Sequence, residues 1–475
     1  MNLAFINPGY KKYGNYNRDV MGGFGAVSTK GDIKIPPLGL LYGASIALEK
    51  GFECKFIDAE AEKLENNEIY PKIKDCNAAF INLGAASLSS DIKLINQLIG
   101  NGLEVYTTGP SARFYKRFLI KEASGVNVLN GELEFILPFI LDYYKTNLEK
   151  NKIPSLTYLD KESGETIETD NSKSFVEDLE SLPFPARQLL KKNLYRGFYP
   201  HERPLATAQT SRGCPFNCVY CPYPISQGRR WRSISHKRML EEAKILKEEF
   251  GYRYILYRDA LFTNNKERTI DFCEGIIESN LDLKWRCETA FSKVDTETLS
   301  FMAKAGCSGI NFGLESADPN QMKQYAMKTG GLDRVFKITK TCKELGIEVL
   351  FFIILGLPGE TLKTIKKTQE TIVKLNPDHL IVSSATPYPG TKIFELMKSQ
   401  KEIAMDDLKS INSFDTHYLP EGLSKEELKR EIFNTYKKLY FRPRRVFKEL
   451  LVHPSWFVGN CSQAVYNYVK LRKKN

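Results

Sequence analysis

The chain is predicted to be α/β, built from two successive series of parallel strands and helices and finished by a helical C-terminal region. Three observations predict this. Over residues 1–145 short apolar runs alternate with stretches of helical periodicity, the pattern of a parallel sheet covered by helices on both faces. A second alternating series fills residues 204–398, and residues 399–475 carry helical periodicity without a strand. Residues 146–203 connect the two series. At 475 residues the chain is too long for one ordinary core, so two or three domains are expected.

In the first series the strands fall at residues 3–6, 53–58, 79–83, 104–108 and 126–129. Asn7-Pro8-Gly9 turns the chain after the first strand, and Gly109-Pro110 turns it after the fourth. Between them, Pro36-Pro37 stands at the start of a helix, where proline is tolerated. Sheets of this kind bind ligands outside the carboxyl ends of their strands. In the connector, residues 155–159 and 164–168 flank a turn and suggest a hairpin, and Leu182-Pro-Phe-Pro185 makes a stiff crossing. The second series places strands at residues 205–208, 252–257, 284–287, 309–312, 349–354 and 379–382. Six strands with helices between them suit a partial barrel, whose reactive groups sit at the strand ends. Those ends are polar: Arg258-Asp259, then Arg286 and Glu288, then Gly313-Leu-Glu315-Ser316, then Gly356-Leu-Pro-Gly359-Glu360. Each carboxylate alone is as well read as a cap or a surface charge. Their recurrence after successive strands is what marks them.

The first strand of the second series runs into Ser211-Arg-Gly-Cys214-Pro-Phe-Asn-Cys218-Val-Tyr220-Cys221. Three thiols this close suit a loop around an iron-sulfur cube, because thiolates favour iron clusters and zinc over harder metals. Three ligands leave one iron open for chemistry. A zinc site completed by His201 or His236 is the competing reading. The other seven cysteines are scattered singly through apolar or helical patterns and read as core residues. Just after the loop, Arg229, Arg230 and Arg232 could hold a carboxylate or phosphate of cofactor or substrate, or form a solvated face.

The spacing Cys214-x3-Cys218-x-Tyr220-Cys221 resembles the signature of the radical S-adenosylmethionine (SAM) superfamily. The resemblance implies a 4Fe-4S cluster held by Cys214, Cys218 and Cys221, with S-adenosyl-L-methionine on the open iron and Tyr220 against its adenine. It implies cleavage of S-adenosylmethionine to a 5′-deoxyadenosyl radical, fed by a reductant such as flavodoxin or ferredoxin. The family places contacts to the cofactor's amino group near Asp259 and faces a glutamate at the position of Glu315 toward it. It lines the adenine with the phrase that begins at Gly356. Because a sulfonium and an ammonium favour carboxylates, Asp259, Glu288 and Glu315 are the candidate partners.

The first segment, with Pro37-Leu-Gly39-Leu-Leu-Tyr, Gly109-Pro110 and Gly131-Glu132-Leu-Glu134, resembles the flavodoxin-like (Rossmann-type) cobalamin-binding domain found in one branch of that superfamily. Gly9, Gly84 and Gly109 would then be cofactor-binding, the last two letting a flat corrin approach the backbone. All five histidines lie after residue 200, so this segment offers no imidazole to the lower face of cobalt. The resemblance implies an enzyme acting on an unactivated carbon, by methyl transfer or by cyclisation or rearrangement, with cobalamin or without it. A non-catalytic zinc-binding protein is the alternative from another class.

No apolar run reaches the ~18 residues that would span a bilayer. The opening residues lack the basic head and cleavage site of a signal peptide, so a cytoplasmic location is expected, where thiols stay reduced. The net charge of +11 is concentrated in the basic, aromatic tail beyond Lys437. That tail is read first as a helical cap over the barrel, and second as a peripheral membrane contact that draws a lipid-like substrate. No nucleic-acid-binding module is recognisable. The expected substrate is a small molecule or a lipid-like one.

Overall fold

The computed structural model describes residues 1–475 except 11–14, 29–32, 147, 198–201, 401–410, 412, 444 and 447–475. Its strands in chain order are β1 (Asn2–Asn7), β2 (Asn15–Asn17), β3 (Ala26–Ser28), β4 (Glu53–Asp58), β5 (Ala78–Asn82), β6 (Glu104–Thr108), β7 (Val126–Leu129), β8 (Leu156–Leu159), β9 (Thr166–Glu168), β10 (Leu205–Ala208), β11 (Ser211–Arg212), β12 (Arg232–Ser233), β13 (Tyr254–Tyr257), β14 (Lys284–Thr289), β15 (Cys307–Glu315), β16 (Glu348–Leu355) and β17 (His379–Ser384).

The first sheet has the order β4-β1-β5-β6-β7-β8-β9, and its first five strands are parallel. Strand order reverses at β1, which lies between β4 and β5, and that reversal opens a crevice at the carboxyl ends of β1 and β5. The predicted connector hairpin is β8 and β9. It does not stand apart as a linker, because β8 pairs antiparallel with β7 and extends the first sheet. Further along the connector, Arg187 is buried and donates to the Thr207 carbonyl at 2.7 Å and to Glu242 at 2.6 Å, which fastens this crossing to the barrel.

The second sheet runs β10-β13-β14-β15-β16-β17, all parallel. It is open between β10 and β17, the partial barrel that six strand signals predicted. Trp285 fills the space under it, fully buried, with rings of Tyr257, Phe262 and Phe272 at 5.7, 5.3 and 5.9 Å and its indole N–H donated to Ala305 at 2.8 Å.

The helix Lys425–Tyr440 begins at the predicted Ser424 cap, with a reciprocal bond from Glu427. It lies along β17, where Tyr436 and Tyr440 accept the backbone N–H groups of Val382 and Leu380 at 2.9 and 3.0 Å. Those amides would otherwise be an unmet sheet edge. This much of the predicted C-terminal cap is visible. His201, His453, Cys461 and the basic aromatic stretch from 447 onward lie outside the described residues, as does the membrane contact read from that stretch. Among the described residues no helix is long and apolar enough to cross a membrane.

Replacing Trp285 by alanine leaves a cavity that the surrounding rings cannot close, so the variant should lose about 3–5 kcal/mol of stability. Urea unfolding followed by circular dichroism measures it, and an unchanged midpoint would show that the barrel is not built on this residue.

Candidate active site

The cysteine loop lies across the carboxyl ends of the barrel strands. It leaves the sheet through β11 and returns through β12, an antiparallel ribbon in which Ser211 faces Ser233 and Arg212 faces Arg232. Gly213 turns the chain with φ +83°, and a Cβ there would overlap the Arg230 carbonyl, so only glycine fits. The Cys214 amide donates to the Gly228 carbonyl at 3.1 Å, and the Cys221 amide to Cys218 at 3.2 Å. Cys214 packs with Ala260, Leu261 and Ala290, which follow β13 and β14. On the other side the segment after β15 supports the loop. Val219 donates to the Tyr325 carbonyl at 3.4 Å, and the Cys218 thiol donates to the Ala326 carbonyl at 3.2 Å.

All three thiols are free, and their charge and that of Glu315 act on one ammonium, that of Lys328. Burial disfavours that ammonium, yet the fields of Cys214, Cys221, Cys218 and Glu315 hold its pKa above the ordinary lysine value. Burial also pushes the Cys221 thiol up to about 12 and the Glu315 carboxyl up to about 8, both opposed by Lys328. Such thiols must give up protons to bind metal. Among the described residues no three His, Cys, Asp or Glu side chains converge as the ligands of one ion. Cys214, Cys218 and Cys221 offer three soft donors in one loop, which suit an iron-sulfur cluster and zinc alike. His236 pairs instead with Asp271 at 3.2 Å.

Glu315 is a non-glycine residue with φ +63° at a register shift between Gly313 and Glu315 where β15 meets β16. A bulge of this kind re-aims a side chain. The Glu315 carboxylate folds back over Gly313, where a Cβ would overlap it. Tyr220 packs on the apolar group that contains Tyr325, Met327 and Leu357, which brings it together with the Gly356 turn. Gly356 itself needs glycine for its φ of +89° and because Leu428 of the C-terminal helix lies 2.9 Å from a Cβ there. Its amide donates to Glu360.

Several expected contacts are engaged elsewhere. Asp259 is fully buried and accepts from the Thr210 amide at 2.7 Å, the Thr210 hydroxyl at 2.6 Å and the Ser211 hydroxyl at 2.5 Å. It braces the ribbon, and with three bonds accepted it keeps one acceptor site, on Oδ1. Glu288 accepts from Arg258 at 2.5 Å and from the Tyr223 hydroxyl at 3.4 Å. Arg286 points to Tyr254 and Glu348. Arg229 and Arg230 are exposed, on Asn217 and Glu177. Arg232 is buried on the chain's own Glu132 at 3.0 Å and is not available to a ligand. Arg212 pairs with Glu134 at 2.7 Å and Glu132 at 3.4 Å.

The glycines of the first sheet also have internal explanations. A Cβ on Gly9 would meet the Leu64 carbonyl at 2.7 Å, and one on Gly84 would overlap the Tyr16 ring. Gly109 has φ +97° beside Asn82. The segment that carries Tyr16, Arg18 and Phe24 fills the crevice. Arg18 bonds the Pro8 carbonyl and reaches Ser87 at 2.9 Å and Asp91 at 3.0 Å. A corrin laid over Gly84 would meet the Tyr16 ring, which lies against that glycine. This segment also meets the barrel. A Cβ on Gly22 would sit 3.1 Å from the Tyr223 amide, Phe24 lies 5.2 Å from Tyr388, and Asp19 lies in the field of Arg258.

Lys328 and the Glu132–Arg232 pairing carried no sequence signal of their own. The first is a lone lysine in a loop. The second joins residues a hundred positions apart.

Residues 209–372 match the Radical SAM superfamily. The chain is 28% identical over 428 residues to an uncharacterized methyltransferase of Pyrococcus horikoshii, covering 89% of this chain and 92% of that protein. It is 25% identical over 473 residues to the anaerobic magnesium-protoporphyrin IX monomethyl ester cyclase of Cereibacter sphaeroides, covering 96% and 72%. Its fold resembles the radical S-adenosylmethionine methyltransferase TsrM from Kitasatospora setae, solved with cobalamin and a [4Fe-4S] cluster bound, with a TM-score of 0.66 and 16% identity over 84% of this chain and 78% of that one.

Burial raises the Asp19 carboxyl to about 6, opposed by the Leu38 amide, Arg258 and Asn82. A carboxyl whose folded pKa lies above its unfolded value contributes stability that is complete below about pH 4 and is lost as pH rises through 6. Thermal melting of the wild type should therefore fall relative to Asp19→Asn between those pH values. Parallel curves would show that Asp19 does not titrate in the fold.

Proposed function

Taking the chain as a member of the Radical SAM superfamily, we propose that it cleaves S-adenosylmethionine reductively and uses the product to functionalise an unactivated carbon of a small molecule. The observation that carries this reading is the grouping of three free thiols with Glu315 and Lys328 at the barrel mouth. Cys214, Cys218 and Cys221 would hold the cluster. When bound, it supplies the single electron that splits a carbon–sulfur bond of S-adenosylmethionine to release a 5′-deoxyadenosyl radical, which takes a hydrogen atom from substrate. Burial keeps Glu315 protonated before S-adenosylmethionine binds; it would ionise against the ammonium of the methionine moiety, while Lys328 is the complement of its carboxylate. The apolar group around Tyr325, Met327, Leu357 and Tyr220 offers the adenine a water-poor surface. The electron comes from a one-electron donor such as flavodoxin or ferredoxin.

Methyl transfer is the favoured outcome, supported by the methyltransferases among the relatives, with cyclisation supported by the cyclase. The strand order of the first sheet and its likeness to TsrM support cobalamin as a second cofactor. To lie over Gly84, the corrin would need the Tyr16 ring to swing aside.

Anaerobic reconstitution with iron and sulfide should give a brown, reducible cluster and release 5′-deoxyadenosine. Alanine at Cys214, Cys218 or Cys221 should each bring that product to background, and zinc bound in place of iron would overturn the reading. Glu315→Gln should weaken S-adenosylmethionine binding roughly ten- to a hundredfold through loss of a charge-assisted bond, read by perturbation of the cluster's electron paramagnetic resonance spectrum. Equal affinity would remove Glu315 from the site. Titration with cobalamin, followed by product mass analysis, separates methyl transfer from cyclisation.

A further inference from the structure

The ribbon β11–β12 has a composition that should not hold by itself. It has two residues per strand, and its second pair sets Arg212 directly opposite Arg232. Like charges directly opposite each other in an antiparallel pair are destabilising, and both guanidinium side chains are buried, at 7% and 4% exposure. What neutralises them comes from the other domain. Glu134 accepts from Arg212 at 2.7 Å. Glu132 accepts from Arg232 through both oxygens, at 3.0 and 3.2 Å, and lies 3.4 Å from Arg212. Tyr42 of the first domain lies 5.3 Å from the Arg212 guanidinium. Glu132 is itself fixed by the Val176 amide of the connector at 2.8 Å. Asp259 and Arg268 hold the same ribbon from the barrel side, through Thr210, Ser211 and Ile234.

We propose that Glu132 and Glu134 are positioning residues for the cysteine loop: by neutralising Arg212 and Arg232 they let the ribbon close, so the first domain sets where the three thiols stand. As a statement about cluster geometry this rests on the reading of those thiols as cluster ligands. As a statement about the loop it does not. The Gly131-Glu132-Leu-Glu134 phrase is then a grip on the metal-binding loop.

The test uses the full chain, free of metal and oxygen. Alkylation of each cysteine by iodoacetamide is followed by peptide mass spectrometry in the wild type, Glu134→Gln, Glu132→Gln, and the control Glu177→Gln, which removes the exposed partner of Arg230 in the same loop. The expected result is alkylation of Cys214, Cys218 and Cys221 about tenfold faster in the first two variants, a local opening. Cys273 and Cys342, fully buried in the barrel, should keep wild-type rates, as should every thiol in the control. Should an unpaired buried arginine prevent folding, Arg212→Met with Glu134→Met removes both charges together, which a core tolerates far better. That variant keeps the Arg232–Glu132 pair with no like charge opposite it, so its three loop thiols should alkylate at the wild-type rate, and faster alkylation there would overturn the proposal. In Glu134→Gln and Glu132→Gln, wild-type rates at the three loop thiols would overturn the proposal, and so would equal acceleration of the barrel thiols, which would mean general loosening. A wild type that takes up no iron, while its variants still open selectively, would overturn the cluster reading and leave this one standing.

Discussion

The site depends on one buried set of charges: two arginines that face each other across a two-residue ribbon, met by two glutamates from a different sheet. Arginine is suited to the place because its planar fork bonds two partners at once and stays charged when buried. The cysteine loop begins one residue after Arg212 and ends one residue before Arg232, so whatever fixes that pair fixes both ends of the loop. The rest of the loop is closed by backbone bonds and by the turn at Gly213. Its far side rests on the segment after β15. The thiols are thus held by three separate parts of the chain, and the barrel mouth alone does not define them.

Much of this architecture is legible in the amino-acid order. Parallel strands buried on both faces are written as short apolar runs, and all six barrel strands fall where such runs stand. The three clustered cysteines were equally plain, since spacing within one loop survives any arrangement of the remainder. What stayed hidden is partner choice over long distance. Asp259 looked like a carboxylate at a strand end, which it is, but two hydroxyls and an amide nearby had already claimed it. Arg232 looked free beside a metal loop and was taken by Glu132. Lys328 gave no sign, because a lone lysine in a loop looks the same whether it faces water or thiols. The glycines misled for a related reason. Gly9 and Gly84 do mark close approach, but the approaching groups are the Leu64 carbonyl and the Tyr16 ring of the same chain.

The two halves meet where each would present a ligand. The Tyr16 to Phe24 segment lies over the switch point of the first sheet and also touches Tyr223 and Tyr388 of the barrel. Met21, Gly22, Gly23 and Gly25 all have positive φ, a backbone that L side chains resist and that glycine tolerates. One short stretch therefore senses both the crevice and the loop after Cys221. Asp19 at its edge faces Arg258, which already holds Glu288.

The barrel that carries this site is not closed, and its last strand is finished by phenols. Tyr436 and Tyr440 stand four residues apart on one helix, the spacing that puts two side chains on the same face, and each meets an alternate amide of β17. A chain cut before Ser424 would keep all seventeen strands described and the three loop cysteines and still leave those two donors bare. Such a border is an invitation to a neighbouring molecule, so a trimmed form would be prone to stack into fibrils through β17 even while its sulfurs stayed in place.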